Sequence, residues 1–296
     1  PIESKRHKQQ IGIVLQKPDE YAAFNNGKAK YHDDIGDYAT NEPTMDGTAS
    51  LSFYLASLEN SGRNQSDSNK SEKDSEGAIV RINPEEKNIY LTFTADELFE
   101  GGEHVLQTLQ KHKIKGSFFF TGNFLRNREF KKITEQIIRE GHYVGAHSDK
   151  HLLYCDWQNR DSLLLDFNTF ETDLKNNFAE LEKFGIQKEN ARYFMPPYEW
   201  YNRQIVDWSR NLGLDVVNFT PGTGTNADYT TPEMKNYKSS EIIFNNLLNF
   251  ENKDGLNGSI LLIHPGTEAA RKDKFYLELD ELIENFKEKG YSFQCF

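Results

Sequence analysis

From Ala78 onward this chain alternates short apolar runs with longer segments of helical period, and that rhythm leaves few folds open to it. The runs are 89–93, 117–120, 143–146, 193–195, 216–219, 260–263 and 291–295. Between them, 103–112, 127–140, 161–183, 203–212, 240–249 and 275–289 carry a helical period. Short, continuously apolar runs suit strands buried on both faces, the kind found in parallel sheets whose crossovers are helices. About seven parallel strands joined this way predict an α/β fold, a distorted (β/α) barrel, with an open doubly wound sheet as the alternative. No internal repeat of solenoid or propeller period competes with that reading.

The first 76 residues break the pattern. Residues 60–76 contain no aliphatic or aromatic side chain and cannot bury a face, so they read as an exposed linker. Residues 1–76 are expected to form an N-terminal extension, and 77–296 the barrel. A chain of 296 residues can bury a large core, and its net charge of -11 argues against a nucleic-acid phosphate backbone as partner. No apolar stretch approaches the roughly 20 residues that span a bilayer. Cys155 and Cys295 form no disulfide framework. The first residue is Pro rather than Met, and removal of a leader with export to the periplasm, surface or medium is the expectation.

In β/α barrels the chemistry sits on loops leaving the C-terminal ends of strands. Polar residues fall at those places: Thr94-Ala95-Asp96-Glu97, the stretch Gly-Ala-His-Ser-Asp-Lys-His that holds His147 and His151, Pro196-Pro197-Tyr198, and His264. Two imidazoles four residues apart lie on one side of a turn or first helical turn, where their neutral nitrogens can grip one divalent metal. A nearby carboxylate would complete a three-ligand site with a place for water, which the metal acidifies. A second carboxylate could take the water's proton and another His could protonate a leaving group, with Asp96, Glu97 and His264 as candidates. Read blandly, the two acids are first-turn helix residues, and Cys155 is a buried structural thiol.

Taken together these residues resemble the polysaccharide deacetylases of carbohydrate esterase family 4, over roughly residues 88–296. Leu91-Thr92-Phe93 followed by acids resembles the first motif, and His147-Ser148-x-x-His151 the second. Phe118-Phe119-Phe120-Thr121-Gly122, Pro196-Pro197-Tyr198 and Leu261-Leu262-Ile263-His264 follow in the family's order. The resemblance implies removal of acetyl groups from an acetylated carbohydrate, either N-acetylated sugars or acetylated xylan, with a divalent metal, zinc first and cobalt, nickel or manganese next. It implies His147, His151 and Asp96 as metal ligands, the Tyr198 N–H as oxyanion donor and His264 as general acid oriented by Asp228. Leu262 would line the acetyl methyl pocket, with Pro197 and the aromatic Trp200 on the substrate side.

Two departures are specific. The family's Thr-Phe-Asp-Asp-Gly becomes Thr92-Phe93-Thr94-Ala95-Asp96-Glu97, and one inserted residue brings Asp96 to the ligand position but leaves Ala95 where the base belongs. Met195 replaces the family's Arg that pairs with that base. An Arg without its carboxylate would be a buried unpaired charge, so losing both is physically coherent. Glu97 is the expected relocated base. A barrel that binds carbohydrate without turnover, or a metal hydrolase of another amide or ester, is the alternative.

Overall fold

The structure is a computed structural model, and it describes residues 70–296. The predicted N-terminal extension, apart from residues 70–76, lies outside the described residues. In chain order these form β1 (Glu72–Lys73), β2 (Ile79–Arg81), β3 (Asn88–Ala95), α1 (Gly102–His112), β4 (Ser117–Phe120), α2 (Gly122–Arg126), α3 (Lys131–Arg139) and β5 (Tyr143–Ala146). There follow α4 (Phe167–Glu182), β6 (Tyr193–Phe194), α5 (Arg203–Asn211), β7 (Asp215–Val216), α6 (Ser240–Asp254), β8 (Ser259–Ile263), α7 (Leu279–Glu288) and β9 (Ser292–Gln294).

The sheet runs β1-β2-β8-β3-β4-β5-β6-β7, with β9 added to β3. The strands from β3 to β9 pair parallel, as the alternation of runs and helices predicts, while β1 and β2 pair antiparallel. A parallel bridge between Ile79 and Val217 draws the two ends of the curled sheet together, and the Asn218 N–H donates to the Ile79 carbonyl at 2.9 Å. β3 is the hub. One flank pairs with β8 at Ile89–Phe93, while the other is shared between β9 at Asn88–Tyr90 and β4 at Thr92–Ala95.

Strand alternation sorts the side chains into two cores. Leu91, Phe93 and Ala95 pair in register with Leu261, Ile263, Phe118 and Phe120 and face the helices. Tyr90, Ile260, Phe119, Tyr193, Met195, Val217 and Leu262 form a separate cluster that fills the barrel. At the end where β9 pairs, the Phe296 ring packs on Tyr90, Phe119, Tyr143 and Tyr193 with centroids 4.8–5.8 Å apart. That end is therefore a plug, and the opposite end, where β3 leaves the sheet at Ala95, is free to open.

Three details depart from the sequence expectation. The helical run 127–140 becomes helical only from Lys131, and a short unexpected helix, α2, precedes it, because Thr121 caps α2 by accepting the Phe124 N–H and Asn127 stops it before α3 starts. The run 161–183 starts only at Phe167, behind the Asp166 cap, because Leu163 bridges to Cys155 instead of turning helical. The last residues of the linker are stitched to the barrel. Asp74 accepts the N–H groups of Glu76, Gly77 and Ala78 and the Tyr201 hydroxyl, and Glu76 accepts the Arg203 N–H.

Candidate active site

The open end holds a cleft of about 540 Å³ lined by Thr94, Ala95, Asp96, Glu97, His147, His151, Trp157, Tyr198, Glu199, Tyr229, His264 and Glu268 among others. The predicted site residues Asp96, Glu97, His147, His151, Tyr198 and His264 thus meet at one place. Leu262 does not line it, being fully buried in the barrel interior where β8 runs inward. Pro197 is buried and Trp200 lies behind Trp157, the two rings stacked at 5.7 Å.

His147 and His151 leave β5 on an irregular loop rather than on the helical turn their spacing suggested. Ser148 and His151 take left-handed backbone, φ 75° and 53°, and the two rings still come to 5.1 Å centroid to centroid. α4 holds this loop in place. Asn177 accepts the His147 N–H at 3.0 Å, Asp173 accepts those of Asp149 and Lys150 at 3.1 Å, and Asp149 pairs with Arg126. Asn177 and Asp173 lie four apart on one helix face, so the loop is templated by one element.

His147 donates its Nδ1–H to the Met195 carbonyl at 2.7 Å, which fixes the tautomer and leaves the Nε2 lone pair unclaimed. Burial pushes its pKa down, with His151 adding to the effect against the Met195 bond. His151 is also lowered by burial, which outweighs the attraction of Asp96. Both rings are therefore neutral, the form a divalent cation requires.

The expected third ligand is placed differently. Asp96 lines the cleft, yet its Oδ1 accepts from the Thr121 hydroxyl at 2.7 Å and from Asn123 Nδ2 at 3.3 Å. Among the described residues, His112, Asp280 and Glu284 are the group of three whose ligand atoms all lie within 4.8 Å of one another. Lys111 already occupies that group, with its Nζ 2.7 Å from Asp280 and 3.2 Å from Glu284. The imidazole half of the predicted metal site fits a cation, and the carboxylate has not closed onto it. Cys155 is buried and its thiol is pushed up to about 11, so it offers no thiolate.

His264 directly follows β8 and is held twice by Asp228. One carboxylate oxygen meets its Nδ1 at 2.6 Å and the other accepts its backbone N–H at 2.7 Å. Burial opposes the imidazolium, but the Asp228 charge and hydrogen bond, helped by Glu199, raise the His264 pKa above 6.5. Ala95 packs with the helix-facing core, whereas Thr94 pairs with Phe119, a barrel-interior side chain. Glu97 is exposed on the rim. Among the cleft residues not expected from the sequence are Trp157, Glu199, Tyr229 and Glu268.

The sequence profile of the polysaccharide deacetylase family matches residues 81–217. That match covers just under half of the chain. Among its relatives, the peptidoglycan-N-acetylmuramic acid deacetylase PdaA of Bacillus subtilis is 25% identical over 214 residues, covering 72% of this chain and 71% of that one. The peptidoglycan-N-acetylglucosamine deacetylase PgdA of Listeria monocytogenes is 25% identical over 70% of this chain, which spans 37% of the Listeria protein. In fold, the chain is similar to a Bacillus anthracis protein described as a CE4 family pseudoenzyme, with a TM-score of 0.58 and 20% identity over 75% of this chain and 68% of that one.

Proposed function

We propose that this protein is a polysaccharide deacetylase that removes acetyl groups from an acetylated carbohydrate, first of all an N-acetylated amino-sugar polymer of the peptidoglycan type. The observation that carries the reading is the Asp228–His264 pair at one side of a cleft whose other side presents two neutral imidazoles. His147 and His151, with Asp96 as third ligand, would hold a divalent cation, zinc first, which when bound acidifies water and polarises the acetyl carbonyl. Asp228 keeps His264 protonated at Nδ1 and aimed, so that its other nitrogen can protonate the leaving sugar nitrogen or oxygen. The Tyr198 N–H is the proposed oxyanion donor, and Trp157 and Tyr198, exposed and 5.5 Å apart, offer aromatic faces to sugar rings. Relatives named for peptidoglycan support this substrate class and, with it, the expectation of export.

One observation favours a second reading, binding without turnover: no carboxylate stands at Thr94 or Ala95, where the family's base belongs. Acetate release separates the two. Chitin oligosaccharides, peptidoglycan and acetylated xylan are each incubated with the protein, with chelator and with added zinc. Release from at least one substrate, abolished by chelator and restored by zinc, is expected. Sugar binding with no release under any condition would leave the binding reading standing in its place.

A further inference from the structure

Glu199 stands out on geometry alone. It has φ 53° directly after Tyr198 at φ 60°, two successive non-glycine residues in left-handed backbone, a conformation that costs free energy and persists only where the surroundings enforce it. Here they do. The Glu199 N–H donates to the Pro196 carbonyl at 3.1 Å, and Asn218 donates to the Glu199 carbonyl at 3.4 Å. The strained turn projects a half-buried carboxyl into the cleft wall shared with His147, His151 and His264. Four of the six left-handed non-glycine residues among those described are Ser148, His151, Tyr198 and Glu199. Strain in this molecule is thus concentrated on its cleft loops.

Building on the proposed deacetylation, we infer that Glu199 is the carboxylate that takes the proton of the attacking water, in place of the base missing at Thr94 and Ala95. A Glu199 oxygen accepts one water proton as the water oxygen bonds to the acetyl carbon, and the carbonyl pair moves onto its oxygen. That pair then returns, the bond from the acetyl carbon to the sugar nitrogen breaks, and His264 gives its proton to the leaving nitrogen. The proton on Glu199 passes to His264, both groups are restored, and acetic acid and amine leave, together one water heavier than the amide.

Electrostatics agree. Burial raises the Glu199 carboxyl to about 7, against the pull of His264 and with the push of Asp228. A base is most effective when its pKa lies near the working pH. The other ionisable groups lining the cleft are Asp96, Glu97, Glu268, His147, His151, Tyr198 and Tyr229, and Glu97 lies exposed at the rim.

The test compares wild type, E199Q, E199G and E97Q by acetate release against pH, with melting temperature and the NMR titration of His264 alongside. E199Q is expected to lose on the order of a hundredfold in kcat or more, with KM nearly unchanged and the acidic limb near pH 7 gone. Its His264 is expected to titrate at lower pH, because a negative neighbour has been removed. E199G is expected to lose activity equally while melting higher, since glycine relieves the left-handed strain. Retention of a third or more of kcat by a folded E199Q, or a larger kcat loss in E97Q, overturns the assignment and leaves the deacetylase reading intact. Wild type that releases no acetate from any substrate overturns both.

Discussion

Replacing Asp228 with Asn tests the acid half of the site most sharply. The wild-type carboxylate accepts from both the ring Nδ1–H and the backbone N–H of His264, at 2.6 and 2.7 Å. An amide has one accepting end and one donating end, so Asn can satisfy only one of those donors. A hydrogen bond to a charged group contributes about 1.5–3 kcal/mol, and about 1.4 kcal/mol moves a pKa by one unit, so D228N should lower the His264 pKa by roughly one to two units. Burial, now opposed chiefly by Glu199, takes it below 6.5. The sign of the pH dependence then inverts. In wild type the raised His264 pKa gives stability that is present in full below pH 6.5 and lost as pH rises through the folded value. In D228N the lowered pKa makes His264 a destabilising group as pH falls below 6.5. Urea denaturation from pH 5 to 8, with His264 followed by NMR, reads both effects. Equal pH slopes in the two proteins, or a His264 pKa that stays raised in D228N, would refute the electrostatic account of this pair. Acetate release by D228N at pH 7 should fall about ten- to a hundredfold as the imidazolium fraction falls.

Three further outcomes are expected. Gly122→Ala would set its Cβ 1.8 Å from Asp149 Oδ1, and should cost about 1–3 kcal/mol in denaturation while loosening the Asp149–Arg126 pair under the histidine loop. Asn177→Ala removes the side chain that accepts the His147 N–H and donates to the Phe120 carbonyl, and should lower stability by about 1–3 kcal/mol and weaken zinc binding measured by calorimetry. Trp157→Ala should raise KM for oligosaccharides several-fold with kcat held, since an aromatic contact contributes about 0.5–1.5 kcal/mol; an unchanged KM would remove Trp157 from the substrate path.

The barrel was legible because its signal is local and repeated. Each of the seven apolar runs overlaps a parallel strand, and the six helical segments between them hold α1 and α3 to α7, with the run 127–140 contributing only its later part and α2 falling outside them all. The short β1 and β2 were not, because two or three residues carry no period and their pairing depends on partners such as Ser259 and Val217. The histidines and His264 were visible through motif spacing. Glu199 was not, since nothing in Tyr-Glu-Trp-Tyr announces a left-handed turn, and the groups that perturb it, His264 and Asp228, lie far along the chain. Trp157 was hidden for the same reason. The loop that carries it reads as polar sequence until the fold lays it beside Trp200.

The central place of β3 bears on how the molecule is made. Its eight residues find their neighbours at 117–120, at 259–263 and at 292–294. A nascent chain that has reached only residue 250 can offer β3 one of its three partners, and the parallel pairings that wait for the rest span the whole domain. Long-range parallel pairing is slow and leaves apolar strands uncovered meanwhile. The sheet must therefore complete its folding after synthesis of β9, and until then Leu91 and Phe93 stand open to chaperones and to aggregation.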